Sequence, residues 1–280
     1  MSSDFFDINE ENASENVKKV PGGVYLCQHE YLSCGACCGI YNFYYTCFKD
    51  FFDVILERTL RFDKVKRDME NILSFGAEET QRIENLGEKP VKDFHHCPYA
   101  GFMGSDYEKP GCLLHPLSEK NKGVDFRGLS YYGGLACASY FCPTYYRVSP
   151  ERKAVVRSAV EDSYSYGLII TEHEMINTIF DLIEKKAGKK VFSGKISEEA
   201  LIKLEKILKL KISWPLEQKN SHPANYFFGD IEKKQDDTDL NSSEINVILK
   251  AAKAQIFSEK DLLDAKTFID KEIAEFVSLL

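Results

Sequence analysis

From Ser149 onward, apolar residues return every three or four positions, as on one face of a helix after another. Ser149-Pro150-Glu151 sets a capping hydroxyl before a proline at the first helical position, and Val155, Val156, Ala159 and Val160 follow. Thr171-Glu172-His173-Glu174 has the form of a capping box ahead of Met175, Ile176, Ile179, Phe180 and Ile183, with Gly188 placed to stop that helix. Ser197 opens a third helix with Leu201, Leu204, Ile207 and Leu208 on one stripe. Ser242 or Ser243, and then Ser258, open two more. The polar run between them, residues 215–241, reads as a long loop.

The pattern before Ser149 differs. Between Pro21 and Arg147, short apolar runs are broken by HHCPYAGFMGSDYEKPGC and LSYYGGLAC, punctuation that suits loops and short strands. One helical insertion, about 49–90, carries Phe52, Val54, Ile55, Leu60, Val65, Met69 and Leu73 at near-helical spacing. The expected fold is predominantly α, with an irregular, loop-rich cysteine-cluster module in which short strands have room. Residues 1–20 are expected to be a disordered acidic arm and 21–148 the module. Residues 149–280 are expected to be a helical region packing on it.

Composition narrows the class. The chain has 280 residues, of which 44% are hydrophobic and 29% charged, ordinary values for a folded chain with a sizeable core. Its net charge of -8 includes no basic segment, so nucleic acid is not an expected partner. No run approaches the roughly 18 apolar residues of a spanning helix, so no membrane is expected. The N-terminus carries five acidic residues before its first lysine and lacks a signal-peptide core. A cytoplasmic location follows as an expectation, and there thiols stay reduced.

That compartment gives meaning to the nine cysteines, all within the first 142 residues. Grouped cysteines in a reducing compartment bind metal more often than each other. The densest group is Ser33-Cys34-Gly35-Ala36-Cys37-Cys38-Gly39. In a C-x2-C spacing two sulfurs can converge on one ion, and flanking glycines let backbone amides turn toward thiolates. Consecutive Cys37 and Cys38 diverge, so one of them either serves a second ion or faces the core. Further candidates are Cys97 in HHCPY, Cys112 in GCLLHP, and Cys137 with Cys142 in LACASYFCP. Cys27, seven residues before Cys34, is a further candidate, whereas Cys47, amid aromatic residues, reads as core. His115 has ligand spacing from Cys112, and one of His95 and His96 is a possible ligand. Zinc takes four ligands and a [4Fe-4S] cluster four thiolates, so the supply suffices for one site with spectators or for two sites.

Cys-Gly-x-Cys-Cys, a downstream Cys-Pro-aromatic, Gly-Cys-x-x-His and a final cysteine pair together resemble the YkgJ-type cysteine-cluster family, described as a zinc- or iron-chelating domain. The resemblance covers about residues 27–143. It implies that Cys34, Cys37, Cys38, Cys97, Cys112, Cys137 and Cys142 are metal ligands. The first cysteine of the family hallmark falls at Tyr31, where Cys27, four residues earlier, or a later residue would have to substitute. The 24 residues between Cys112 and Cys137 also depart from the family pattern.

No Gly-x-Gly-x-x-Gly, Walker, His-Glu-x-x-His or Gly-x-Ser-x-Gly motif occurs. The leading expectation is therefore a cytosolic protein holding zinc or iron, the latter including an iron-sulfur cluster, through its cysteines. Two alternatives stand beside it. One is a cluster-dependent enzyme related to the flagellin lysine N-methylases, and the other a module that engages a protein partner around a structural metal.

Overall fold

A computed structural model describes residues 26–29, 31–104, 106–190, 196–216, 223 and 244–280. The acidic arm, nearly all of the expected loop at 215–241 and the capping candidates Ser242 and Ser243 lie outside the described residues. The fold is predominantly α. Ten helices among the described residues surround two apolar cores, and one two-stranded sheet lies in the N-terminal half.

The insertion forms two helices, α1 (Phe48–Phe62) and α2 (Met69–Glu84). Asp68 caps α2 by accepting from the Asn71 amide at 3.0 Å. Of the stripe expected from sequence Ile55 is buried, but Leu60, Met69 and Leu73 are exposed. The buried residues of the pair are Phe51, Ile55, Arg58, Thr59 and Phe62 on α1 and Ile72, Phe75, Gly76, Glu79 and Ile83 on α2. The true face contains charge. Arg58 Nε donates to Glu79 Oε1 at 2.7 Å with both side chains fully buried, and Arg61 and Arg82 complete the shell around the carboxylate, each at 2.7 Å. A stripe scored on apolar residues alone skips such positions.

Beneath this pair lie β1 (Ala100–Met103) and β2 (Lys109–Cys112), antiparallel, with Ala100 opposite Cys112 and Gly101 opposite Gly111. Two short helices follow, α3 (Gly133–Ser139) and α4 (Thr144–Arg147).

The C-terminal helices largely follow their sequence signals. In α5 (Pro150–Ala159) the Ser149 side chain accepts from the Arg152 amide, and Val155, Val156, Ala159 and the following Val160 are buried. α7 (His173–Ala187) buries the five residues expected and ends on Gly188 at φ 67°. α8 (Glu198–Leu208) is capped by Ser197, and α10 (Glu259–Ser278) by Ser258. α9 (Glu244–Ala251) packs on α7, and α10 crosses both α7 and α8.

Two features differ from the expectation. The capping box at Thr171 does not form, because Thr171 ends the preceding helix, its hydroxyl donating back to Gly167 O at 3.0 Å, and Glu172 is drawn to Lys211 at 2.6 Å. That preceding helix, α6 (Ser163–Ile170), had no amphipathic signal because it is buried almost all round. It joins the two cores. Leu168 belongs to the one built from residues 36–114, whereas Tyr166, Ile169 and Ile170 belong to the one built on the C-terminal helices, which also takes in Leu26, Leu32 and Tyr145. Gly167 lies so close to Tyr41 that a Cβ there would sit 2.1 Å from its hydroxyl. No helix among the described residues is long and apolar enough to cross a membrane.

Candidate metal centre

Cys34 packs against both cores, Cys27 and Cys142 against the one on the C-terminal helices and Cys38, Cys97 and Cys112 with the N-terminal one, and short backbone contacts hold these segments together. Around the Gln28–Ser33 bridge, the Cys34 amide donates to Cys27 O at 3.0 Å, so these two residues sit side by side across a narrow loop. Tyr145 brings in Cys142. Its hydroxyl accepts from the amides of Leu26 at 2.9 Å and Cys27 at 3.3 Å and lies 3.4 Å from Cys27 Sγ, while its own amide donates to Cys142 O at 3.0 Å. The buried Lys153 ammonium in turn donates to Tyr145 O at 2.8 Å.

A second assembly forms on the other side of Cys37. Ala36–Cys38 make one 3-10 turn, closed by Gly39 at φ 69°. The glycine is needed twice, for the left-handed backbone and because a Cβ would meet His95 O at 2.1 Å. That close approach lets the Cys97 amide donate to Cys38 O at 2.9 Å. The Ala100 amide donates to Cys97 O at 3.2 Å, and Ala100 is the ladder partner of Cys112, which brings Cys97 and Cys112 together. Gly39→Ala is expected to cost about 3 kcal/mol or more, from the backbone strain and the forced separation of the two segments. Urea denaturation checks it through a lowered midpoint at unchanged slope.

Electrostatic neighbourhood sorts eight of the nine cysteines into two sets. Charge on Cys37 bears on Cys27, Cys34 and Cys142, and Cys27 and Cys142 also bear on Cys34. On the other side, Cys97 and Cys112 bear on Cys38, and Cys137 bears on Cys97 and Cys112. The sets are thus Cys27, Cys34, Cys37 and Cys142, and Cys38, Cys97, Cys112 and Cys137. The Cys37–Cys38 dipeptide is their junction. A hydrogen bond between these two thiols lowers Cys37 below the ordinary thiol range and raises Cys38. Burial pushes Cys27 and Cys112 up to about 12 and Cys97 to about 11, so each remains a protonated thiol unless a cation replaces its proton.

Among the described residues, no three or more histidine, cysteine or acidic side chains are drawn together tightly enough to hold a metal ion as they stand. All nine cysteines are free of disulfides. Cys47 is not in the core as expected. It is exposed at the N-terminal end of α1, as are the neighbouring Tyr44 and Phe48, while Phe43 and Phe51 fill the core.

The histidines are engaged elsewhere. Arg58 Nη2 approaches His96 Nε2 at 2.6 Å, and His96 Nδ1 lies 2.8 Å from Gly39 O. Because guanidinium can only donate, the imidazole is assigned as the neutral Nδ1–H form with both nitrogens used. Tyr132 Oη lies 2.8 Å from His95 Nδ1, and burial lowers His95 to about 4. His115 Nδ1 accepts from the Leu117 amide at 3.1 Å.

Sequence reasoning missed the electropositive setting. Arg58 acts on Cys97, Arg127 on Cys112 and Cys137, and Lys153 on Cys142. For Arg58 a signal was there to find: a charge occupying a core position between Ile55 and Phe62, matched on the facing helix by Glu79 between Phe75 and Ile83.

Compared with family models, curated proteins and solved structures, the chain matches none. The resemblance to the YkgJ-type family therefore rests on the cysteine motifs themselves.

Proposed function

We propose that the protein binds metal through two four-cysteine sites, one of Cys27, Cys34, Cys37 and Cys142 and one of Cys38, Cys97, Cys112 and Cys137. What supports this is the set of contacts that tie Cys34 to Cys27, Tyr145 to both Cys27 and Cys142, Cys38 to Cys97, and Cys97 to Ala100, the ladder partner of Cys112. Four thiolates are the complement of a structural zinc ion and of a [4Fe-4S] cluster alike. A tetrahedral zinc with bonds of about 2.3 Å sets its sulfurs roughly 3.8 Å apart, so loading would draw the four thiols of each site to that separation.

The surroundings suit such a load. Four thiolates around Zn²⁺ carry a net charge of -2, and Arg58, Arg127 and Lys153 are placed to offset it. Burial that disfavours a lone thiolate also keeps solvent from a bound ion. Because the cysteine segments join the two cores, metal binding would contribute directly to folding. We place the protein in the cytoplasm, where free thiols persist.

Elemental analysis of protein purified anaerobically from metal-replete cells, read with its ultraviolet-visible spectrum, tests the proposal. The expected result is two equivalents of zinc in a colourless protein, or about eight irons in a brown one. Less than about a tenth of an equivalent of any metal overturns the proposal, since structural zinc is normally held very tightly.

A further inference from the structure

Two of the nine cysteines face each other across a paired backbone. Gln28 and Ser33 form an antiparallel bridge, with the His29 amide donating to Leu32 O at 2.8 Å on one side and the Cys34 amide to Cys27 O at 3.0 Å on the other. The next residues out from the bridge are therefore Cys27 and Cys34, directly opposite, with both side chains on one face. Opposite residues joined by such a bond have Cα atoms about 5.5 Å apart, and a disulfide spans about 4.4–6.8 Å between Cα atoms, most often near 5.5–6 Å. The pair falls in that window with the backbone as it stands.

Among the described residues, no other backbone pairing sets cysteine opposite cysteine. In the hairpin, Cys112 faces Ala100. Cys37 and Cys38 are joined by a trans peptide, which holds consecutive Cα atoms about 3.8 Å apart, short of the disulfide range. The contacts at the two facing sulfurs are weak ones that give way readily: Cys27 Sγ lies 3.4 Å from Tyr145 Oη, and Cys34 Sγ donates to Gly167 O at 3.9 Å. Neither residue is fully buried.

We infer that Cys27 and Cys34 are a thiol–disulfide switch, two thiols under reducing conditions and one disulfide when a small-molecule disulfide of the glutathione class accumulates. One protein thiolate attacks the small disulfide, forming a mixed disulfide and expelling one glutathione. The facing thiolate then attacks the protein sulfur of that bond, so that the protein S–S bond forms and the second glutathione leaves. The two protein thiols are oxidised, the small disulfide is reduced, and the two thiol protons end on the released glutathiones. Closure staples the 27–34 loop, whose Cys34 packs against both cores. The step requires no metal and stands apart from the two-site reading. Where that reading holds, closure withdraws two of the four ligands of the first site, so oxidation and metal loading compete for one pair of sulfurs.

The test brings full-length protein to equilibrium in buffers of rising oxidised-to-reduced glutathione ratio, with and without EDTA. The remaining thiols are alkylated with iodoacetamide, and the protein is mapped by mass spectrometry without reduction. Endoproteinase Glu-C cuts after Glu30, between the two cysteines, so their fragments stay together only through a disulfide. The expected result is a Cys27–Cys34 link that appears with the steepness of a two-electron couple, is reversed by reduced glutathione and persists in Cys142→Ser. Exposed Cys47, with no cysteine opposite, should carry glutathione instead, and Cys34→Ser should leave Cys27 free or as a glutathione adduct. Cys27 joined to Cys37 or Cys142 rather than to Cys34, or both thiols still free with and without EDTA when Cys47 is fully modified, overturns the inference. Metal content, measured on the same samples before oxidation, decides the two-site reading separately.

Discussion

Replacing Glu79 with alanine is expected to lower the free energy of unfolding by about 3–5 kcal/mol, the range for breaking a buried ion pair from one side. The Glu79 carboxylate has no exposure and pairs with Arg58, Arg61 and Arg82. Once it is gone, Arg58 keeps Ala100 O at 2.6 Å and His96, but its charge is buried without a counter-ion. The substitution also undercuts the cysteine segments, since Arg58 holds His96 and His96 holds Gly39 O beside Cys38. Urea denaturation at neutral pH measures the loss, and a change below about 1 kcal/mol would show that the buried Arg58 does not depend on this carboxylate.

The same residue sets a pH dependence of known sign. Burial pushes the Glu79 carboxyl up, but hydrogen bonds and charge from Arg82 and Arg58 more than offset it and hold the group below its ordinary range. A carboxyl depressed in the folded state contributes stability that is present above its unfolded pKa, about 4.3, and is lost as pH falls through the folded value. The wild type should therefore lose this contribution on acidification below about pH 4. Glu79→Ala, already without it, should show a shallower acid limb in the same titration.

How much of this was legible in the sequence depended on how each element is buried. Helices with one wet face announced themselves, and Ser149, Ser197, Ser258 and Gly188 sit at the helix ends their chemistry implied. α6 gave no periodic signal because nearly all its faces are covered. The α1–α2 face was misread because its central residues are Arg58 and Glu79, and an apolar scan cannot tell a buried charge pair from two solvated residues. Cys47 shows the opposite error, since a run of aromatic residues does not say which neighbour they leave outside. For the cysteines, spacing named the eight candidates and raised the option of a second site, but the pairing of Cys27 with Cys142 depends on Tyr145, more than a hundred residues from the loop it fastens. Contacts of that range leave no local trace.

The junction at Cys37–Cys38 yields the sharpest distinction between one shared site and two. The Cys37 and Cys38 thiols hydrogen-bond each other across this junction, while charge on Cys37 bears on Cys27, Cys34 and Cys142 and charge on Cys97 and Cys112 bears on Cys38. With two sites, Cys37→Ser and Cys38→Ser each lose one of two metal equivalents, and the double variant loses both. The labelling patterns should be reciprocal. In Cys37→Ser, the thiols of Cys27, Cys34 and Cys142 become reactive while Cys38, Cys97 and Cys112 stay protected, and Cys38→Ser reverses the pattern. A single shared site predicts instead that either substitution releases all the metal and unprotects every thiol. The stability cost should be large in each case, because apparent binding energies at structural four-thiolate zinc sites reach about 10–16 kcal/mol and reappear as folding energy. It should also be unequal. Losing the Cys37 site loosens Leu26 and Tyr145 from the core of the C-terminal helices, whereas losing the Cys38 site loosens the hairpin and the His95–Cys97 segment that packs on Gly39, so proteolysis should begin near residue 27 in the first variant and near residue 97 in the second.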